Sequence, residues 1–555
     1  MRFSRDPMRS FKFLSAFCII CIYLLYLLNH RSGLSRQRAS PLVVVHKIQK
    51  QTWDNGTGLA DERKMGAVVR AAKRTFDLYR SNAWGHDEIK PVSGGAGSSR
   101  NGWGAFIVDS STTLALMGLW DELSYEIDYI VQTLDFNKAQ DLVDPFETTI
   151  RYLGGLVSLV DLIDAGVVPR SLASREKRDK VLEKAITLGN KLAPAYDTPT
   201  GLLWPRVNFK TGKGENWPGA DPHSPPSVSL ARTGSNFLEN RVLTRLSENE
   251  IYYKNSSQAW STLVWNKYVE MMPGLVDSPR EIYTGKPVKH EKGWDSGHDS
   301  YYEYLVKSVA LSSHDVYAAK YQERWLEAAG SLRHNLSSKS SPSESYAMQH
   351  LYLGKYKGKW LVNEMSHLAC FAPGNLILGG SLFERQDLIT LGKALLEGCR
   401  HIYSSTTSGI GPEIMSWRTG VGEHQGTFLP QTDLQIRHLA EFGFWIVDPR
   451  YKLRPEYAES LFYAWRITGE QRYRDWAWDA FQAIERSCRA DFGYASIGNV
   501  TKEPGKMKSL DENESFWMAE TLKYFYLIFS DVRVGSLDTW IYNTEGHPLR
   551  RTVPG

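Results

Sequence analysis

Apolar residues recur at helical spacing along most of this chain, and that recurrence limits its fold more than any other feature. From Glu62 to Tyr79, the residues Met65, Val68, Val69, Ala72, Phe76 and Tyr79 fall on one side, the pattern of a helix with one buried face. The same spacing returns over 123–134, 146–162, 176–192, 238–253, 300–311, 317–332, 388–402, 432–442, 455–468, 472–488 and 514–529. Period-2 runs are few and short, so the body is expected to be all-α. Loops rich in Gly, Pro and Ser separate the helices, as over 91–104, 197–226 and 278–297. No fixed repeat of about 20–50 residues marks a solenoid. No linker divides the body, so one large helical domain with long functional loops is expected over 61–555.

The N-terminus reads differently. Phe13 to Leu28 is apolar except for Ser15, with Arg2, Arg5, Arg9 and Lys12 before it. No small-residue cleavage site follows Leu28. The run is close to the short end of the roughly 17–25 residues that span a bilayer. The preceding positive charge places the N-terminus in the cytosol. The expectation is a cytosolic tail (1–12), a signal-anchor transmembrane helix (13–28) and a polar lumenal stem (29–60), a single-pass type II arrangement. Asn55, Asn255, Asn335, Asn499 and Asn513 each begin an N-x-S/T sequon, which suits a lumenal body. Cys370, Cys399 and Cys488 lie in the body and Cys18 and Cys21 in the apolar run; a lumenal setting permits a disulfide.

The formal net charge is +4, and the N-terminal residues supply much of it. No basic stripe tracks a nucleic-acid backbone, so a nucleic-acid partner is not expected. Aromatic residues make up 12%, with 18 Trp and 28 Tyr. That suits stacking against sugars, although a large helical core also uses aromatics as filler.

The chemistry is carried by carboxylates in short motifs. Glu147 and Arg151 stand at i, i+4 in Asp144-Pro-Phe-Glu-Thr-Thr-Ile-Arg151, as do Asp299 and Glu303 in Asp299-Ser-Tyr-Tyr-Glu-Tyr-Leu305, so each pair shares a helix face. Glu456 and Glu459 follow Pro455 at i, i+3, Glu413 follows a Gly-Pro pair, and Glu520 lies in Phe516-Trp-Met-Ala-Glu520. A helix-start acid has an ordinary cause in the macrodipole, worth roughly 0.3–1 kcal/mol. These acids, however, are embedded among aromatic and apolar residues. Clustered acids in such surroundings suit a pocket that separates carboxyl pKa values, as glycosidases require.

The motifs Asn101-Gly-Trp-Gly104, Phe146-Glu-Thr-Thr-Ile-Arg-Tyr-Leu-Gly-Gly155, Asp299 to Leu305, His367-Leu-Ala-Cys-Phe371, Leu453-Arg-Pro-Glu-Tyr-Ala-Glu-Ser460, Glu514 to Tyr524 and Asn543-Thr-Glu-Gly-His-Pro548 occur in order. Over 67–549 the chain resembles the class I α-mannosidases, glycoside hydrolase family 47. The resemblance implies an (α/α)7 barrel that removes α-1,2-linked mannose from high-mannose N-glycans with inversion, using a Ca2+ ion. It implies residence in the endoplasmic reticulum or Golgi membrane. It assigns Glu147 and Asp299 as alternative general acids and Glu456 as general base. Inversion needs two carboxyls about 6.5–9.5 Å apart, which favours pairing Glu456 with Glu147 or Asp299 over Glu459.

By the same resemblance, Thr544 is the direct Ca2+ ligand. Glu239, Glu413, Glu459, Glu520 and Glu545 orient waters around the ion. Arg151, Glu239, Glu303, His367, Arg454 and Phe516 contact substrate or steady the residues that do. Cys370 and Cys399 form the disulfide, leaving Cys488 free. Two departures stand out. Val108-Asp109-Ser-Ser-Thr-Thr113-Leu lacks the second Asp that the family often has. Gly297 stands where members that stop after one mannose carry Arg, so trimming of several mannoses is implied. The alternative is a weakly active glycan-recognition factor in the degradation of misfolded glycoproteins, which would share the fold.

Overall fold

The structure, a computed structural model, describes residues 47–53, 56–266, 268–342, 345–419 and 429–552. Among these, fourteen helical elements form seven pairs: α1 (Glu62–Asn82), α2 (Ala105–Met117), α3 (Trp120–Gln132), α4 (145–164), α5 (Arg175–Leu192), α6 (Phe237–Ser247), α7 (Ile251–Val264), α8 (Asp299–Leu311), α9 (Ala318–Ser331), α10 (Ala372–Leu382), α11 (Gln386–Ser405), α12 (Glu456–Thr468), α13 (Gln471–Cys488) and α14 (517–529). Each even-numbered helix packs on the next odd one, and α14 packs on α1. The even helices also touch in order, α2–α4–α6–α8–α10–α12–α14, and α14 returns to α2. The result is a closed inner ring inside an outer ring, the (α/α)7 barrel.

The ring explains which helices the sequence revealed. Outer helices bury one stripe and face solvent with the other, so their apolar spacing is plain. The inner helices α2 and α10 have nearly every residue buried. Their small and apolar residues run all the way round without a stripe, so neither 105–117 nor 372–382 stood out as helical, whereas the equally enclosed α4, α8 and α14 kept enough apolar spacing to be read. The 238–253 segment, expected as one helix, is broken at Glu248, whose φ of 57° is left-handed. Small antiparallel sheets occupy the loops, the largest with five strands. Cys370 and Cys399 are bonded, tying the His367–Phe371 turn to α11, and Cys488 is a buried free thiol.

Among the described residues no helix is long and apolar enough to cross a membrane. The 13–28 run, the 1–12 tail and the first part of the stem lie outside those residues. Within the span expected as stem, residues 47–53 are built into the body. Ser381 donates to the Ile48 carbonyl at 2.9 Å, Lys50 N to the Arg466 carbonyl at 2.9 Å, and Gln49 Nε2 to the Val532 carbonyl at 2.9 Å. The Trp53 ring lies 4.8 Å from that of Trp465. A chain starting at Lys47 is therefore expected to be more stable than one starting at Asp61. Burial of Ile48 and Trp53 sets the difference at about 3 kcal/mol, about 3 °C for a domain this large. Thermal scans of the two chains check it; equal melting points would show that the segment adds nothing.

Candidate active site

A cavity of about 490 Å3 opens at the N-terminal ends of the inner helices; Glu147, Asp299, Glu456 and Phe516 all line it. These positions follow from local sequence. Asp144 caps α4, accepting from Phe146 N at 3.1 Å and Glu147 N at 3.3 Å, with Pro145 in the first turn. Asp299 and Glu456 are the first residues of α8 and α12. Before α12, Leu453 adopts a left-handed φ of 62°. That conformation costs a non-glycine residue about 1–2 kcal/mol. Its carbonyl is secured by Thr521 Oγ1 at 2.7 Å. Two inner helices contain π turns, Thr149–Leu153 in α4 and Trp517–Thr521 in α14. They hold Arg151 and Glu520, in keeping with the concentration of such turns at functional sites.

The floor comes from the C-terminus. Strand Trp540–Tyr542 pairs antiparallel with Pro548–Arg550 and packs against α8, while its partner packs on α4. The connecting turn brings Thr544 and Glu545 to the cavity wall beside Glu303, Glu459 and Glu520.

The three candidate catalytic carboxyls differ in environment. Burial would raise Glu147, but Arg100, Arg151 and Arg232 outweigh it and hold the carboxyl at about 2. Arg151 Nε donates to Glu147 Oε2 at 3.0 Å, realising the i, i+4 pair, and Arg100 Nη1 lies 3.1 Å from the same oxygen. Burial pushes Asp299 up to about 7. The Ser300 N–H opposes it, and the charges of Asp295, Glu303 and Glu456 add to it. Glu456 is also buried, yet it stays below the usual carboxylate range because His367 and Arg454 favour its charge. His367 Nδ1 is 2.6 Å from Glu456 Oε2, and its Nε2 is 2.6 Å from Tyr403 Oη.

On the floor, burial raises Glu520 and Glu545 well above normal, and neighbouring acids push in the same direction. Burial takes Glu459 up to about 8 against the pull of Lys307. Glu545 pairs with Arg151, and Lys307 pairs with Glu303. This is a crowd of oxygen donors short of positive charge. Among the described residues no three His, Cys, Asp or Glu side chains converge closely enough to ligate an ion themselves. The donor set fits a hard cation held by Thr544 oxygens and by waters, a coordination that calcium accepts.

Three expected site residues stand behind the wall instead of on it. His367 reaches the cavity only through Glu456. Both oxygens of Glu413 accept from Arg454 Nε, at 2.9 and 2.8 Å, so its visible part is to fix that guanidinium. Glu239 Oε1 accepts from Tyr304 Oη at 2.5 Å and from Asn543 Nδ2 at 2.7 Å, beneath the Thr544 turn. Burial raises Glu239 to about 7. Arg151, Arg454, Glu303 and Phe516 line the cavity as expected. Sequence reasoning missed Arg100, Arg232 and Lys307. Lys307 was legible, four residues after Glu303 on one helix. Arg100 comes from a loop and Arg232 from the short helix Leu230–Gly234, and neither had a signal.

A family pattern, that of glycosyl hydrolase family 47, matches residues 71–551. A probable mannosyl-oligosaccharide alpha-1,2-mannosidase 1B of Aspergillus clavatus is 37% identical over 507 residues, covering 89% of this chain and 94% of that protein. The mannosyl-oligosaccharide alpha-1,2-mannosidase of Penicillium citrinum is 37% identical over 503 residues, covering 88% of this chain and 92% of that protein. The solved alpha-1,2-mannosidase from Trichoderma reesei superposes with a TM-score of 0.81 at 34% identity, covering 89% of this chain and all of that one.

Proposed function

The chain belongs to glycosyl hydrolase family 47, and on that premise we propose that it is an inverting, calcium-dependent α-1,2-mannosidase trimming high-mannose N-glycans toward five mannoses. The observation that carries the reading is a pair of carboxyls in one cavity whose surroundings push their pKa values apart: burial lifts Asp299 to about 7, while His367 and Arg454 keep Glu456 below the usual carboxylate range. Asp299 and Glu456 begin α8 and α12, which α10 separates in the ring. Carboxyls on separated helices leave room for the water that inversion requires.

Glu456 takes a proton from that water as its oxygen bonds to the anomeric carbon. Asp299 gives its proton to the departing glycosidic oxygen. His367 and Arg454 hold Glu456 in its charged form. Glu147, paired with Arg100 and Arg151, stays ionised and serves as a fixed negative charge beside the reacting sugar. The Phe516 face on the wall offers an apolar surface for the ring.

Thr544, through its hydroxyl and carbonyl oxygens, would hold a Ca2+ ion, with Glu459, Glu520 and Glu545 ordering its waters. A bound ion would supply positive charge against these acids and a coordination point for sugar hydroxyls. Gly297 lines the cavity with a left-handed φ of 84°, and a Cβ there would meet only Ser229 Cβ, at 3.7 Å. That open space favours successive glycan branches over a single cut. The 13–28 run is proposed to anchor the enzyme as a type II protein of the endoplasmic reticulum or Golgi membrane.

Incubation with a nine-mannose N-glycan tests the reading. At saturating calcium, several α-1,2-linked mannoses should be released. A chelator should slow release. No release at saturating calcium would leave a glycan-binding factor as the better description, and arrest after one mannose would overturn the reading of Gly297.

A further inference from the structure

Lys523 lies on α14 with none of its surface exposed, below the turn that carries Thr544. Its Nζ donates to the Gly546 carbonyl at 2.7 Å and to Thr112 Oγ1 at 2.9 Å. Among the described residues no carboxylate forms an ion pair with it. A buried ammonium without a counter-charge is costly unless its hydrogen bonds do something the fold requires.

Burial lowers Lys523 to about 7; in its charged form it can only donate, so Thr112 Oγ1 then accepts from Lys523 and uses its own proton elsewhere. The available partner is His547 Nδ1, at 2.9 Å. With Nδ1 accepting, the ring proton sits on Nε2 and is donated to Asp109 Oδ1 at 3.3 Å. Asp109 Oδ2 accepts from Ser515 Oγ and from Arg151 Nη1, and Arg151 holds Glu545. Gly546 and His547 are thus gripped from below by a single chain of donors and acceptors starting at Lys523. The far side of the turn is held separately. Asn543 Nδ2 donates to the Ile150 carbonyl at 2.9 Å, and Thr544 N donates to Tyr304 Oη at 3.3 Å. Gly546 has a left-handed φ of 71°, and a Cβ there would sit 3.0 Å from the Ala519 carbonyl, so the turn has little slack.

We propose that Lys523 and Thr112 are positioning residues for the cation site: they clamp the Gly546 carbonyl and His547, and so fix where Thr544 presents its two oxygens. The proposal rests on Thr544 being the calcium ligand. It also explains how the chain accommodates Thr at position 112. The hydroxyl accepts from Lys523 and donates to His547 at once, which a carboxylate in its ionised form could not do.

The test is a calcium titration of thermal stability on the body from Lys47 onward, in wild type, Lys523→Met and Thr112→Val. Met keeps the unbranched stem without the charge; Val keeps the shape of Thr without the hydroxyl. Loss of an outer partner of a metal site typically costs about 10–100-fold in metal affinity. The calcium midpoint of both variants is expected to weaken by that factor. A merely structural role would lower the melting point equally with calcium and with chelator, leaving the midpoint unmoved. Midpoints within about threefold of wild type would overturn the proposal. If Lys523→Met does not fold, Thr112→Val decides alone. If wild type itself gains no stability from calcium, the calcium reading falls first and takes this proposal with it.

Discussion

Glu456→Gln is expected to lower kcat by about a thousand-fold or more while leaving affinity for a mannose-mimicking inhibitor within a few-fold. A positioned general base contributes roughly 10²–10⁴ to rate, and this one has no substitute in reach. Glu459, the next acid on α12, is turned to the floor, where it accepts from Lys307 Nζ at 3.4 Å. The variant should fold, because a Gln carbonyl can still accept from His367 Nδ1 and its amide can turn to the cavity. Single-turnover kinetics with an inhibitor titration separates the two effects. Turnover within tenfold of wild type would remove Glu456 from the role of base.

Asp299→Asn should cost about 10²–10⁴ in kcat on glycan, with a distinguishing signature in pH. Activity needs Asp299 protonated and Glu456 ionised. With Asp299 pushed up to about 7, chiefly by burial, kcat/KM should fall as pH rises through about 7. On the acid side it should fall only below the ordinary carboxylate range, where Glu456 takes up its proton. In Asp299→Asn, the alkaline limb should vanish from the residual rate. A substrate with a leaving group that needs no proton, such as α-mannosyl fluoride, should restore Asp299→Asn to within about tenfold of wild type and leave Glu456→Gln inactive. Equal loss of Asp299→Asn on both substrates would shift the role of acid to Glu147. That outcome would be surprising for a carboxyl held at about 2 by three arginines.

The sequence was most legible where one residue's neighbours lie close along the chain. Outer helices showed their stripes, the Glu147–Arg151 pair could be read from its spacing, and Cys370 and Cys399 are bonded as the resemblance implied. Chemistry held within short motifs also survived: Thr544, Glu545, Glu456 and Asp299 all reach one cavity. What the chain could not reveal was enclosure. Helices α2 and α10, nearly all buried, carry small and apolar residues on every side and so no stripe. The 47–53 segment looked like polar stem because its anchoring partners, Arg466, Ser381 and Asp538, are more than 300 residues away in sequence.

The acids as a set, and their embedding among aromatic residues, were determined by the sequence alone. Which of them carries a proton was decided by the tertiary structure. Asp299 and Glu456 are both helix-start carboxyls in one cavity, Asp299 half-buried and Glu456 buried. One faces Asp295, Glu303 and Glu456, while the other accepts from His367, ninety residues earlier less one. Desolvation raises both; Glu456 is brought back down by His367 and Arg454, whereas Asp299 has the Ser300 N–H against the rise and acids around it, and spacing along a chain does not encode the His367 contact.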